Sequence, residues 1–507
     1  MIVDPVKCVG CPICSEDCPL EAIRLEDDIA VISAILCVNC QVCAKVCPKE
    51  AITKNTDLLP GRALCDACPI HCEIAVGYSG ACQRFRNEDG IVIRSAPLHT
   101  FTDVREIVGP DCEEAIRRPL ITGIGAGTTY PDSRPAPFIV QGKSMGIDVV
   151  TVVTEAPLSY SGIKVKIDAE KPIGREGAPV LKGGRKVGHV TTEEYGAKIL
   201  SIGGVNLLSG KNGFSTADLI TRIANRERVE LKIRGGSALE IQVGEAPIID
   251  GEMMHKMRVG CGSASMGLFT PIFQEAADEV IVLDPHITGL FTEHEAGKFA
   301  GAPYSGLTLA ARKSTPGRYF GESGRGWGGT PITNPLDIVA DVDKSIARIG
   351  MTVLITETTG EKAAMFRWNG NSFDEIPITR VAQDAVEAIN MTAQPSRVSA
   401  LYTGGAGGSA RAGVTKYPVK LTHAVNNRRA CLTAGGAPTF IYPGGGITFT
   451  VDVERVKIGS FSWIPTPATV APIEYTMRVE DYLEMGGHRE AMKPFDVALA
   501  NNEKVTL

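Results

Sequence analysis

The chain is 507 residues long, a length for about three to four domain-sized units, which excludes a single small binding module. It is 44% apolar and 22% charged with 55 glycines, the composition of a core-forming chain with many tight turns rather than a disordered or fibrous one. Fifty-two Lys and Arg against 58 Asp and Glu leave a net charge of −6 without a basic tail, so neither a nucleic-acid nor an anionic-membrane partner is expected.

The first residues, Met1-Ile2-Val3-Asp4-Pro5, lack a basic segment followed by an apolar one. No later stretch reaches the ~18 uninterrupted apolar residues of a spanning helix, so a soluble cytoplasmic protein is expected. Twelve of the 15 cysteines fall between Cys8 and Cys82. In a long cytosolic chain such crowding points to metal ligation rather than to disulfides.

Cys8, Cys11, Cys14 and Cys18, followed by Pro19, obey the spacing C-x2-C-x2-C-x3-C-P, and Cys37, Cys40, Cys43 and Cys47, followed by Pro48, repeat it 29 residues later. Matching tails, Leu20-Glu21-Ala22-Ile23 and Lys49-Glu50-Ala51-Ile52, mark an internal duplication. This head resembles the bacterial ferredoxin domain with two [4Fe-4S] clusters, in which the fourth cysteine of each run crosses to the other cluster. That resemblance implies one cluster on Cys8, Cys11, Cys14 and Cys47 and another on Cys37, Cys40, Cys43 and Cys18. Structural zinc is the competing reading, but zinc asks for one four-thiolate set, usually two separated C-x2-C pairs. A third constellation, Cys65, Cys68, Cys72 and Cys82, suits a third [4Fe-4S] cluster or one zinc ion, with iron–sulfur favoured because a neighbouring electron carrier needs an outlet. Cys112, Cys261 and Cys431 stand alone and read as small apolar residues.

From about residue 115 the pattern alternates strand-like and helix-like stretches and reads as α/β. An apolar strand, a Gly/Ser-rich loop, a helix and a further strand recur, with loops opening near Gly123, Gly260 and Gly404. The expected organisation is a two-cluster head at 1–56, a third cysteine set and linker at 57–114, and a body at 115–507. The body is divided into approximate repeats 115–250, 251–395 and 396–507, set pseudo-threefold around one central site. Coincidence among abundant glycines is the competing account of the repeat.

A Gly-rich turn opening a helix offers backbone N–H groups to an anion. Gly260, Gly262, Ser263, Gly404, Gly405, Gly407, Gly408 and Ser409 are therefore candidates for cofactor binding. Arg325, among glycines beside Trp327, and Arg411 are the candidate anion clamps, and His286, His294 and Lys416 are the candidate catalytic residues. Each also reads as an ordinary structural His, Lys or Arg. None of the loops is a dinucleotide fingerprint or a Walker loop.

The whole chain resembles the 6-hydroxynicotinate reductases, ferredoxin-dependent iron–sulfur flavoproteins of anaerobic nicotinate breakdown. The likeness is carried by the Cys65–Cys82 run, by residues 404–413 and by residues 435–451 with Ser462-Trp463-Ile464-Pro465. The resemblance implies reduction of 6-hydroxynicotinate to 6-oxo-1,4,5,6-tetrahydronicotinate with reduced ferredoxin as donor, a flavin (FAD or FMN), and a small aromatic carboxylate as substrate. A homo-oligomer is also expected. Two alternatives remain open: a cyclic-amide hydrolase of threefold architecture, with Ser263, Ser409 and Lys416 cast in its Ser/Lys roles, and an electron-transfer subunit without a substrate site.

Overall fold

The computed structural model describes the chain except residues 58, 69, 96–98, 101–111, 124–134, 159–160, 194–196, 259, 315–316, 320–323, 406–410, 442–447 and 501–507. Among the described residues no helix is long and apolar enough to cross a membrane.

The head shows its duplication in the backbone. Short helices Ile13–Glu16 and Val42–Val46 start at equivalent places in the two copies, each two residues after its second cysteine. Gly10 and Asn39 both take left-handed φ, at 66° and 61°, as do Glu21 and Glu50, at 51° and 49°. A side chain on Gly10 would meet the Asp28 backbone at 2.7 Å, so the first copy needs glycine where Asn39 serves the second. Two-stranded ladders, Ile2–Val3 with Ile52–Thr53 and Ile23–Glu26 with Ile29–Ile32, close the lobe around Cys14, Ile23, Ala30, Cys43 and Ile52.

Residues 62–94 add two antiparallel hairpins, Arg62–Leu64 with Glu73–Ala75 and Phe85–Glu88 with Ile91–Arg94. Their core of Cys65, Cys72, Ile74, Ala81, Phe85 and Val92 also includes Val38 and packs on Cys40, so this lobe is fused to the second copy.

The body is dominated by one closed barrel. One of its ladders runs from Phe138–Ser144 through Ile147–Leu158 and Ala468–Arg478 to Ala430–Ala434. Another joins Ala197–Gly203, Gly162–Asp168, Arg397–Gly405 and Thr448–Asp452. The strand Ala437–Ile441 pairs with both Ala430–Ala434 and Thr448–Asp452 and so links them. Met145 and Gly146, with φ of 53° and 83°, make the tight turn that matches strand twist in the first hairpin. Helix Gly213–Ala224 lays nine buried residues, including Phe214, Leu219, Ile220 and Ile223, toward the head and the barrel core.

Residues 279–376 form a separate seven-stranded sheet, in which Glu279–Leu283 and Thr352–Glu357 run parallel. Helices Gly262–Ala276 and Arg380–Thr392, N-capped by Cys261 and Thr379, pack on it through Met266, Phe273, Ala385 and Ile389. The mixed α/β character is as expected. The strands divide differently from three equal units: the first and last expected repeats share one barrel, and only the middle one has a sheet of its own. Long-range ladders such as Val149↔Arg478 make that division, and no local spacing announces them.

Candidate functional site

The head gathers its twelve thiols into three neighbourhoods. Burial, followed by the nearby Cys11, Cys47 and Cys8, pushes the Cys14 thiol up to about 11. Burial, followed by Cys40, Cys37, Cys18 and Cys14, pushes Cys43 up to about 12. In the third lobe burial, followed by Cys82 and Cys68, holds Cys65 up at about 12, and Cys72 is raised by burial and then by Cys82, Cys40 and Cys68. The neighbours fall as 8/11/14/47, 37/40/43/18 and 65/68/72/82. Cys14 is near enough to raise Cys43, and Cys40 near enough to raise Cys72, so the second set adjoins both others and the three follow one another as a row.

Backbone donors repeat with the duplication: Ala22 N–H bonds Cys18 Sγ at 3.2 Å and Ala51 N–H bonds Cys47 Sγ at 3.3 Å. Among the described residues no group of three or more His, Cys, Asp or Glu side chains is gathered closely enough to hold one metal ion. A cubane spreads its thiolates over four corner irons, so what bears on it is which cysteines face one another. Buried thiols held above their ordinary range become thiolates only where bound cations share the charge, and N–H groups aimed at sulfur favour that state. The donor sets therefore fit iron–sulfur clusters.

The row ends against the barrel. Arg84, two residues after Cys82, donates from Nη1 to Glu155 Oε2, and both side chains are buried. A cleft of about 470 Å³ opens beside this pair, lined by Cys82, Arg84, Ser95, Asn225, Phe461 and Trp463. Further contacts lock head to body: Arg185 pairs with Asp17 at 2.7 Å, and Phe214 packs on Val42, Val46 and Trp463.

The other expected residues are dispersed. His294 caps the helix Glu295–Phe299 by accepting Ala296 N–H at Nδ1 (3.1 Å), which leaves the proton on Nε2 to be donated to Ser263 Oγ at 3.0 Å. Burial lowers its pKa and favours that neutral form. In that tautomer His294 is a helix cap and a donor to Ser263 rather than its base; of the Ser/Lys roles of the hydrolase alternative, Ser409 lies outside the described residues. Gly262 is pressed against Gly289 N, Ile287 O and Val282 O, each within 2.6 Å of an added Cβ, so tight helix–sheet packing accounts for this glycine. Gly260 precedes Cys261, whose sulfur already caps Ala264 N–H.

His286 N–H bonds Asp284, whose carboxylate also takes Arg258, itself bidentate to Glu170 at 2.8 and 3.0 Å. Lys416 is exposed on the barrel against Gly486, while His286 and His294 belong to the middle sheet. Arg325 is 76% exposed and pairs with Asp250 at 3.0 Å. Arg411 donates to Thr422. Gly404 and Gly405 end the strand Arg397–Gly405; Gly407, Gly408 and Ser409 lie outside the described residues.

Sequence reasoning passed over Arg84, Glu155 and Glu474. Glu474 is wholly buried and accepts from Thr433 Oγ1 (2.7 Å), Gly436 N–H (3.3 Å) and Gly123 N–H (3.4 Å). The signal was present: a lone carboxylate inside an otherwise apolar strand, as in Val152-Val153-Thr154-Glu155-Ala156 and Ala471-Pro472-Ile473-Glu474-Tyr475, demands a partner.

No family model matches the chain, and no solved structure matches it. Over 494 residues it is 48% identical to the 6-hydroxynicotinate reductase of Eubacterium barkeri, an alignment covering 97% of this chain and 98% of that protein.

Proposed function

The chain belongs to the 6-hydroxynicotinate reductases, and on that premise we propose that it reduces the 6-hydroxynicotinate ring, with ferredoxin as the electron donor. Two electrons and two protons add to the ring carbons C4 and C5, giving 6-oxo-1,4,5,6-tetrahydronicotinate. Removing the aromaticity of the pyridone demands a strong reductant, and [4Fe-4S] clusters reach potentials low enough to supply one. The single observation that carries this reading is the row of three thiol sets running from the outer lobe to the barrel wall at Arg84 and Glu155.

In this reading Cys8, Cys11, Cys14 and Cys47 hold one cluster, Cys37, Cys40, Cys43 and Cys18 a second, and Cys65, Cys68, Cys72 and Cys82 a third. The chain's own residues insulate the path: Val38, Ile74, Ala81 and Phe85 keep water from the third set. Arg84 puts a fixed positive charge beside Cys82, where arriving electrons are best stabilised. The flavin enters through the family alone. Gly404 is pressed by Tyr402 and Ser161, which accounts for this glycine without a ligand.

Anaerobic purification tests the reading. Reduced ferredoxin should bleach the cluster absorbance, and 6-hydroxynicotinate should restore it as the tetrahydro product forms. Bleaching without reoxidation would sink the assignment and favour an electron-transfer subunit.

A further inference from the structure

We propose that the cleft between the third cysteine lobe and the barrel holds the substrate ring by its lactam edge, the adjacent ring N–H and C=O, through the hydroxyls of Ser95 and Ser462. The proposal rests on the ring-reductase reading and deepens it by naming what recognises the ring.

Among the described residues three buried serine hydroxyls have no hydrogen-bond partner, those of Ser95, Ser396 and Ser462. Two of them, Ser95 and Ser462, belong to the lining of the 470 Å³ cleft beside Cys82. They reach it from opposite regions, since Ser95 follows the last strand of the third lobe and Ser462 opens the barrel strand Ser462–Ile464. A hydroxyl withdrawn from water without a partner is unfavourable, and a pair of them at one cleft marks the place of a ligand that supplies both bonds.

Both serines are held from behind. Ser95 N–H bonds the Arg84 carbonyl at 2.8 Å. The Asn225 amide donates to the Phe461 carbonyl at 2.7 Å and accepts Phe461 N–H at 2.9 Å, which fixes the chain just before Ser462. With the backbone fixed, rotation about χ1 and the C–O bond is what remains to aim each hydroxyl.

Charge balance then selects the ligand. The four charged side chains of the lining are all matched: Arg84 by Glu155, Arg222 by Glu227 at 3.0 Å, and Asp218 by Lys182 at 2.7 Å. The lining thus suits a neutral polar edge rather than a carboxylate or a phosphate. A serine hydroxyl both donates and accepts. A lactam offers one group of each kind side by side, so one serine accepts from the ring nitrogen while the other donates to the exocyclic oxygen. 6-Hydroxynicotinate in its 6-oxo form carries that edge. Phe461 and Trp463 supply apolar walls for a single ring, and Trp463 is itself held edge-on by Phe214 at 5.9 Å. Arg222 and Glu227, 39% and 48% exposed, mark the solvent side, where the carboxylate of the substrate keeps its hydration. Because Cys82 is part of the same lining, a ring held by the two serines lies where the row of thiols ends.

The test is anaerobic calorimetric titration of the oxidised, as-purified protein with 6-hydroxynicotinate and with nicotinate, which keeps the ring and the carboxylate but lacks the lactam. The wild type should prefer the lactam, and Ser95→Ala combined with Ser462→Ala should narrow that preference at least ~tenfold, each single substitution less. An unchanged preference in the double variant leaves the hydroxyls to water and overturns the site. So does a wild type without the preference. Loss of bound flavin from the double variant overturns it as well, because the cleft then belongs to the cofactor. Should the double variant not fold, an unchanged preference in both single variants overturns it equally. Bleaching by reduced ferredoxin is read on the same wild-type preparation: its absence defeats the reductase reading itself, whereas normal bleaching with an unchanged preference defeats only the serine site.

Discussion

Residues 1–94 and the barrel hold together by different means. Ladders in the head span two to four residues, and cysteines occupy its small cores beside Ile23, Ile52, Ile74 and Phe85. In the barrel, Ile147–Leu158 and Ala468–Arg478 pair over ten residues, Val149↔Arg478 to Leu158↔Thr469, with ten of the eleven residues of the second strand buried. A lobe with so little apolar burial depends on its ligands for stability, whereas the barrel depends on packing. Under the proposed cluster assignment, the contrast makes metal and fold one variable in the head and separate variables in the body.

The largest expected effect tests that separation directly. Cys40→Ser should remove about four irons per chain, abolish ferredoxin-driven turnover and open the head to limited proteolysis while the barrel resists. A head that stays protease-resistant without iron would break the comparison. Next comes the seam between the regions, where Arg84→Met removes the cation hydrogen-bonded to the buried Glu155. We expect a loss of about 3–5 kcal/mol in denaturant unfolding, because breaking a buried pair leaves an uncompensated charge. An effect under ~1 kcal/mol would place the pair in water.

A smaller effect belongs to the barrel and the middle sheet alone. Burial pushes Glu474 and Glu279 from 4.5 up to about 7. A carboxyl whose folded pKa is raised keeps a proton that the unfolded chain releases, so its contribution to stability falls as pH rises from 4.5 toward 7 and levels off above. Each amounts to about 3 kcal/mol at full ionisation. Glu193 is likewise raised to about 7, so thermal melts of the metal-loaded protein should show declining stability from pH 5 to pH 8, and Glu474→Gln should make that slope shallower without abolishing it. A slope unaltered by the substitution would show that Glu474 ionises normally.

The smallest effects sharpen the site. Ser263→Ala and Arg325→Lys should each change the Michaelis constant by less than about twofold, since one is a capping contact and the other an exposed pair worth about 0–1 kcal/mol. A tenfold rise for Arg325→Lys would return the carboxylate to the cleft at Glu170, Lys171 and Glu357.

What could be read from the sequence follows the same division. Cysteine spacing is a local record, so the duplication, which the backbone repeats at Gly10 and Asn39 and at Glu21 and Glu50, was legible before any fold was known. Barrel pairing joins Gly162–Asp168 to Arg397–Gly405 across more than 200 residues of chain, and glycine-rich loops carried no sign of it. Gly262 looked like a ligand loop and proves to be packed against Gly289. Arg84 and Glu155 were overlooked because their distinction lies in the fold, which buries the two against each other from positions 71 residues apart.

The central claim is that the three thiol sets form one electron path that ends at the barrel wall. Anaerobic metal analysis with reductive titration of the same sample tests it most directly. The account predicts about twelve irons per chain, with the cluster on Cys65, Cys68, Cys72 and Cys82 reoxidised when 6-hydroxynicotinate is added. Eight irons with one tightly held zinc, and undiminished turnover, would contradict it.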